Sequence, residues 1–179
     1  VAYSVKENAV ASPRSGDITV SGGGITRTFR VTQAAAPIGA GEGLRAEYYG
    51  DRSLGALIMV LTNGPVDFNW GGGSPGGGVP ADNFSVRWIG KVAPAFSEEY
   101  TFNTKTDDGV RLWVDNRLLI DKWEDQPAAS WTSAPISLVA GNQYNIVMEY
   151  YENRVNAEAH LSWASASQPR QVIPKDRLY

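Results

Sequence analysis

The chain has 179 residues, and its 16 Lys and Arg against 19 Asp and Glu give a formal net charge of −3, which argues against nucleic acid and an anionic membrane as partners. It contains no Cys, which excludes disulfide scaffolds, zinc–thiolate sites and cysteine nucleophiles, and no apolar run approaches the roughly 18 residues of a membrane span. Six Trp, eight Tyr and five Phe stand among 19 Gly and 10 Pro; this composition is typical of short strands and frequent turns, so we expect an all-β fold.

Residues 1–36 are predicted to form a separate β segment. Asp17 to Ser21 and Ile25 to Thr32 alternate apolar and polar residues across three glycines, as in a β-hairpin. Because so few apolar side chains cannot support a core, we interpret this segment as the C-terminal fragment of a domain, followed by a linker at 37–42. The chain begins at Val1, which suggests a mature product or an excised piece; we expect the latter, a monomeric module within a larger chain.

A longer array of strands is predicted after the linker, in residues 43–179. Each candidate is a short apolar or alternating run bounded by turn residues, and nine of them without a helical period indicate an antiparallel sandwich or barrel. Two alternating stripes are the first core candidates, one on the strand from Phe84 and one on the strand from Tyr144. The nine predicted strands are Leu44 to Tyr49, Ala56 to Leu61, Phe84 to Val92, Glu99 to Thr104, Val110 to Val114, Arg117 to Ile120, Ile136 to Val139, Gln143 to Tyr151 and Ala157 to Trp163.

Two adjacent aspartates, Asp107 and Asp108, lie between two of these strands. Neighbouring carboxylates repel each other unless a cation lies between them, and carboxylate oxygens are ligands that Ca²⁺ prefers. The sequence Asp-Asp-Gly is also a good turn, in which Asp accepts backbone amides and Gly109 supplies a positive φ. The pair therefore predicts either a calcium site or a simple turn.

Two tryptophans on a polar stretch are candidates for contact with a sugar ring. Trp123 and Trp131 flank residues 124–130, and an exposed indole offers a flat apolar face. The alternative for both is a core position, which we favour for Trp123. Trp88, Trp113 and Trp163 lie within predicted strands and are expected in the core. No pair of carboxylates or nucleophile–base set is singled out, so we expect a non-catalytic module.

Ordered motifs along most of the chain resemble the PA14 domain family. They begin at Gly43-Leu44-Arg45-Ala46-Glu47-Tyr48-Tyr49 and continue through Asp107-Asp108-Gly109-Val110-Arg111-Leu112-Trp113-Val114-Asp115, Leu119-Ile120-Asp121-Lys122-Trp123, Glu149-Tyr150-Tyr151-Glu152-Asn153 and Leu161-Ser162-Trp163. The resemblance covers about residues 42 to 179. The N-terminal segment, ending in Thr28-Phe29-Arg30-Val31-Thr32-Gln33-Ala34, is similar to the last strands of a BACON-type bacterial immunoglobulin-like domain.

The PA14 resemblance implies a β-sandwich or barrel module of secreted bacterial glycosidases, adhesins and toxins and of yeast surface adhesins. In its lectin-like members a cis-linked Asp pair grips Ca²⁺, and a second loop supplies an Asn side chain and backbone carbonyls. The pair maps onto Asp107 and Asp108, and the second loop maps onto Glu152 to Asn156, with Asn153 and Asn156 as metal ligands and Arg154 as a donor to sugar hydroxyls.

The resulting expectation is a calcium-dependent carbohydrate-binding module of a secreted or cell-surface multi-domain bacterial protein, with a glycan or polysaccharide as its partner. Two alternatives stay open. One is a structural spacer or protein-interaction module whose Asp pair only shapes a turn. The other is an accessory insert that shapes a neighbouring glycosidase site.

Overall fold

The computed structural model of the protein describes residue 8, residues 13–34 and residues 41–179. Strands β1 (Arg14–Gly22) and β2 (Ile25–Gln33) pair in antiparallel register as a two-stranded sheet, which confirms the predicted hairpin. Most of the rest of the segment 1–36 and most of the linker 37–42 lie outside the described residues, and the immunoglobulin-like assignment stays a prediction.

Two six-stranded antiparallel sheets contain the remaining strands of the described chain. One has the order β10-β7-β13-β14, with β11 also paired to β7 and β5 to β13; the other has the order β4-β3-β6-β12-β8-β9. The chain closes with one turn of 3₁₀ helix at Lys175–Arg177. The strand bounds are β3 Leu44–Tyr49, β4 Leu57–Asn63, β5 Asp67–Gly71, β6 Phe84–Val92, β7 Glu98–Asp107, β8 Gly109–Val114, β9 Arg117–Lys122, β10 Ala129–Thr132, β11 Ile136–Leu138, β12 Tyr144–Glu152, β13 Ala157–Ser165 and β14 Gln168–Val172.

The core is a single apolar cluster to which both six-stranded sheets contribute side chains. The predicted stripe on β6 is confirmed, since Phe84, Val86 and Trp88 are fully buried in this cluster. On β12, Ile146, Met148 and Tyr150 are fully buried, whereas Tyr144, where the predicted stripe begins, is half-buried and packs against the cluster. The two strands are neighbours, with Trp88 opposite Met148. An all-β sandwich therefore follows from alternation, because each strand turns every second side chain inward.

All nine strands predicted after the linker are present, and three more escaped prediction: β5, β10 and β14. These three are four or five residues long and rich in polar residues, and they pair with β7 or β13. Their backbone hydrogen bonds come from long-range pairing, which a local apolar pattern does not reveal.

The expectation that Trp113 is a core residue was wrong. On β8 the inward positions are Val110, Leu112 and Val114, all fully buried. Alternation therefore places Trp113 on the outer face of the sheet, where it is only half-buried. Trp88 and Trp163 are fully buried, as expected.

Asp115 and Asn116 form a short turn at the end of β8. Both residues have positive φ, 51° and 61°, and they join β8 directly to β9. Two consecutive positive φ angles suit a two-residue hairpin, because their twist matches that of the flanking strands. Within the described ranges, none of the helices has the length and apolar character needed to cross a bilayer.

The burial difference between two tryptophans leads to a stability prediction. Trp88→Ala should lower the free energy of unfolding by about 3–5 kcal/mol, since it empties a core site and removes the indole hydrogen bond to Asn63 (2.9 Å). Trp113→Ala is the matched control and should cost about 1–2 kcal/mol, because its ring is half-exposed. Urea unfolding followed by far-UV circular dichroism measures both, and equal losses would contradict this assignment of the two sheet faces.

Candidate functional site

Asp107 and Asp108 lie at one end of the sandwich, where β7 ends and β8 begins. The peptide bond between them is cis, as the resemblance implied. Gly109 does not take the positive φ that the turn interpretation expected. Its role is to leave space, because a Cβ atom there would lie 2.2 Å from the ring of Tyr151 on the neighbouring strand.

A third carboxylate, Glu152, joins the pair, and our prediction of ligands did not include it. Oxygen atoms of Asp107, Asp108 and Glu152 all lie within 4.8 Å of one another. Glu152 is the last residue of β12, and it continues the inward stripe of Ile146, Met148 and Tyr150. A Glu at the end of a buried stripe was the sequence signal that could have identified it.

The three carboxylates strongly influence one another. Burial, followed by repulsion from Asp108 and Asp107, raises the pKa of Glu152 to about 8. Burial, followed by repulsion from Asp108, also raises the pKa of Asp107. Concentrated negative charge in a poorly solvated place is the condition under which a bound cation is most favourable.

Backbone and side-chain donors hold Asp108 in position. One carboxylate oxygen accepts the peptide N–H of Gln126 (2.9 Å) and the other accepts that of Asn153 (2.8 Å). The side-chain amide of Gln126 also donates to the carbonyl of Asp108 (3.0 Å). Loops from two different parts of the chain therefore converge on one side chain.

Glu152 has no comparable set of partners. Its side chain is fully buried, and its Oε1 atom has no hydrogen-bond partner among the residues that the structure describes. Its Oε2 atom lies 3.4 Å from the hydroxyl of Tyr150, but that hydroxyl donates its single proton to the carbonyl of Asp107. A buried carboxylate oxygen without a donor is costly unless it meets a proton or a cation.

The second predicted loop, residues 153–156, lies beside the aspartates and is fixed by the loop before β6. The peptide N–H of Val155 donates to Asp82 (3.1 Å), and that of Asn83 donates to the carbonyl of Asn153 (3.1 Å). Asn156 lines a depression of about 210 Å³ together with Asp107. Arg154 is exposed.

The side chain of Asn153 faces a residue that was not among the predicted ligands. Its amide nitrogen donates to Asp125 Oδ2 (2.8 Å), while the same carboxylate accepts the hydroxyl of Tyr151 at Oδ1 (2.7 Å). Only the peptide nitrogen of Asn153 contacts Asp108 directly. Because Asp125 accepts from the amide nitrogen of Asn153, the amide oxygen of Asn153 is turned away from Asp125.

The two predicted sugar-contacting tryptophans occupy different surroundings. Trp123 is half-buried, its ring centroid lies 4.8 Å from that of Tyr151, and the guanidinium of Arg111 covers it at 4.6 Å. Trp131 lies on β10, packs against the core, and has Lys122 Nζ 4.3 Å from its ring centroid. Trp123 thus contacts Tyr151, whose hydroxyl donates to Asp125 near Asp108. Trp131 lies on the edge strand of the other sheet.

The chemistry of this cluster fits a hard divalent cation. Three carboxylates offer oxygen ligands of the kind that Ca²⁺ takes, and Oε1 of Glu152 has no hydrogen-bond partner among the described residues. Asn153 and Asn156 are near enough in the fold to add amide or carbonyl oxygens from the adjacent loop. Thiolate and imidazole ligands are absent from the cluster, which disfavours zinc.

The family model of the PA14 domain matches residues 41–177. Over 141 residues, 79% of this chain, the sequence is 50% identical to the anti-sigma-I factor RsgI3 of Acetivibrio thermocellus, of which it covers 22%. A solved anti-sigma factor domain-containing protein is 48% identical with a TM-score of 0.76, over 79% of this chain and 48% of that one. The chain thus spans about a fifth and about half of the lengths of these two relatives.

A more distant solved structure shares the fold alone. It is a PA14 sugar-binding domain from an RTX adhesin, with 13% identity and a TM-score of 0.67, and the match covers 78% of this chain and 98% of that one.

The raised pKa of Glu152 predicts a pH dependence of stability in a chelator. Because this pKa is about 8 in the folded state and 4.5 in its reference state, the folded protein retains a proton that the unfolded chain releases. Stability in EDTA should therefore fall as the pH rises from about 5 to about 9, by roughly 1–3 kcal/mol. Glu152→Gln should show a much smaller fall, measured by urea unfolding at several pH values. Glu124→Gln, at an exposed position, is the control, and the same pH slope in wild type and Glu152→Gln would contradict the prediction.

Proposed function

Because the chain belongs to the PA14 domain family, we propose that it is a calcium-dependent carbohydrate-binding module of a secreted or cell-surface bacterial protein. The observation that carries the proposal is the convergence of Asp107, Asp108 and the fully buried Glu152, whose Oε1 lacks a partner among the described residues. The RTX adhesin domain that shares the fold is itself a sugar-binding domain, which supports the glycan part of the proposal.

Each part of the proposed site has a distinct task. Asp107, Asp108 and Glu152 hold the cation, and bound Ca²⁺ offers coordination positions that hydroxyl oxygens of a sugar can fill in place of water. Asn156, which lies near Asp107, and the exposed Arg154 lie on the loop that borders this place. Arg154 can donate to hydroxyl oxygens but cannot accept from them, which gives the loop a preference in how a sugar is oriented.

The rigidity of the site comes from neighbours that do not contact the cation. Gln126 donates twice to Asp108, from its backbone and from its side chain. Asp125 accepts from the amide nitrogen of Asn153, which leaves the amide oxygen of that side chain available to a cation or a hydroxyl group. Outer contacts of this kind orient ligands before the ion arrives and so raise affinity.

The direct test is binding of Ca²⁺ and of glycans to wild type and to Asp108→Asn. Wild type should bind CaCl₂ in calorimetry and should bind glycans on an array in Ca²⁺ but not in EDTA. Asp108→Asn should weaken Ca²⁺ binding by at least about tenfold and abolish glycan binding, because it removes one of three charges from the site.

Asp121→Asn is the matched control for this test. Asp121 is exposed and pairs with Arg111 on the outer face of β9, away from the three carboxylates. This variant should bind Ca²⁺ and glycans like wild type. Glycan binding that persists unchanged in EDTA, or no binding across a broad array, would overturn the proposed function and favour a spacer or protein-interaction module.

The role given to Asp125 leads to a separate prediction. Asp125→Ala should weaken Ca²⁺ binding about tenfold, since Asn153 would lose the contact that orients its amide. The unfolding midpoint in EDTA should change little, because Asp125 is largely exposed. Calorimetry with CaCl₂ measures the first quantity and thermal unfolding the second. Glu124→Ala serves as the neighbouring control, and an unchanged Ca²⁺ affinity in Asp125→Ala would exclude this orienting role.

We also propose that the longer protein is of the anti-sigma factor kind. The two relatives at 48–50% identity carry that name, whereas the adhesin domain shares only 13%. Glycan binding by the module would then be a signal to the regulatory protein that contains it. Co-purification of the full-length protein with a sigma factor tests this. If no sigma factor co-purifies, the anti-sigma proposal is wrong and the longer protein is better explained as an adhesin or a glycosidase.

A further inference from the structure

The edge strand β4 carries exposed apolar side chains that the proposed ion site does not use. It is the terminal strand of its six-stranded sheet, and among the described strands it pairs with β3 alone. Its first five residues are all apolar, and the exposed fractions of Leu57, Ile58, Val60 and Leu61 are 53%, 40%, 44% and 47%. An edge strand of this kind is a template for pairing with a further strand.

Other strands at the edges of the two sheets are protected against such pairing. Strand β9, at the opposite edge of the same sheet, contains Arg117, Asp121 and Lys122. In the other sheet β10 has only four residues, and β14 contains Pro169 and Arg170. Charged residues, prolines and short length all limit pairing at an edge. Strand β4 has seven residues and contains no charged residue, Pro or Gly, so it lacks these forms of protection.

The backbone of β4 is regular over most of its length. Its pairing with β3 runs without interruption from Asn63 to Met59, and a bulge follows at Ile58. Apart from the pairing with β3, no backbone hydrogen bond of the described chain involves residues 57–63. Because alternate residues of an edge strand direct their N–H and C=O groups away from the sheet, β4 offers a row of unpaired donors and acceptors.

The absence of charge on β4 indicates which strand fits it. In an antiparallel pair around a two-fold axis, each residue lies opposite its symmetric counterpart in a second copy, and like charges in such pairs are destabilising. With the axis at Val60, the middle residue of Leu57–Asn63, every pair across the interface is uncharged. Strand β4 has no charge that would attract an acidic or a basic partner strand. A second copy of β4 therefore fits this edge.

The ends of β4 carry complementary charges in the same arrangement. Before the strand, the carboxylate of Asp51 accepts the N–H of Ala56 (2.5 Å). After the strand, the side chain of Lys175 lies 3.7 Å from the place where a Cβ atom of Gly64 would be. Antiparallel pairing around Val60 places Ala56 of one copy opposite Gly64 of the other. The acidic end of each strand thus approaches the basic end of its partner.

We propose that β4 is the interface of a two-fold dimer, in which the β4 strands of two copies of this chain pair in antiparallel register around Val60. The pairing joins two sheets into one, satisfies peptide groups that β4 leaves open and removes apolar side chains from water. The sequence led us to expect a monomeric module, and the open edge is the structural reason for proposing a dimer instead. If the ion site binds a glycan, the dimer has two such sites, which raises its apparent affinity for a polymer.

Sedimentation velocity of the full 179-residue chain tests the pairing, over concentrations of about 1–500 µM that suit a weak interface. Wild type should change from monomer to dimer within this range. Val60→Lys should weaken the association by at least about tenfold, because two Lys side chains would lie opposite each other at the axis. Lys is common on exposed edge strands, so this variant should fold, and far-UV circular dichroism checks that it does.

Two matched variants control for association elsewhere on the molecule. Leu118→Lys changes a residue that is 48% exposed on β9, at the other edge of the same sheet. Phe29→Lys changes an exposed apolar residue of the N-terminal hairpin. Both variants should dimerise like wild type. A dimer that is lost in Phe29→Lys and kept in Val60→Lys would place the interface on the hairpin and overturn the proposal.

Single cysteines test the register, since the chain contains no Cys of its own. Val60→Cys should form a disulfide-linked dimer under mild oxidation, because Cβ atoms directly opposite each other in paired strands are about 4.5–5.5 Å apart, close to the separation in a disulfide. Leu118→Cys is the matched control and should cross-link at least about tenfold more slowly.

The outcomes separate the dimer from the proposed function. A wild-type monomer at every concentration, association unchanged in Val60→Lys, or equal cross-linking of the two cysteine variants would each overturn the dimer. These measurements need neither Ca²⁺ nor sugar. Their failure therefore leaves the proposed glycan binding intact, and a failure of glycan binding leaves the dimer intact.

Discussion

Mutual repulsion among three carboxylates is the constraint on which the functional end of this molecule depends. Asp107, Asp108 and Glu152 meet within 4.8 Å although burial alone already disfavours their charged forms. Such an arrangement lowers stability unless protons or a cation compensate for it. The surrounding loops are organised around that place, since the peptide N–H groups of Gln126 and Asn153 both donate to Asp108.

The sandwich supplies the stiffness that holds these charges together. Glu152 is the last residue of the buried stripe of β12. Strand β12 lies between β6, which pairs with it over residues 144–152, and β8, which pairs with it over residues 146–151. The aspartates link β7 of one sheet to β8 of the other. The three carboxylates thus come from both sheets, and the fully buried Glu152 cannot withdraw without disturbing its packed surroundings.

The loops around this end form one connected layer rather than separate ligands. The segments at residues 82–83, 125–126 and 153–156 are joined by hydrogen bonds to one another or to Asp108. Asp125 accepts hydrogen bonds both from Asn153 in one of these loops and from Tyr151 on β12. Loops of this kind are where a module on a common fold acquires its own specificity.

The sequence by itself determined the all-β class, nine of the twelve strands of the sandwich, the two buried stripes on β6 and β12, and the position of the aspartate pair between strands. These features are local, because alternation and turn formation depend on residues that are neighbours in the sequence. Only the tertiary structure decided that Glu152 faces the aspartates, that Asp125 binds the Asn153 amide, that Trp113 lies on the outer face, and that β5, β10 and β14 are strands. Each of these depends on which distant segments become neighbours, and that is set by the pairing and stacking of whole sheets rather than by any short run of residues.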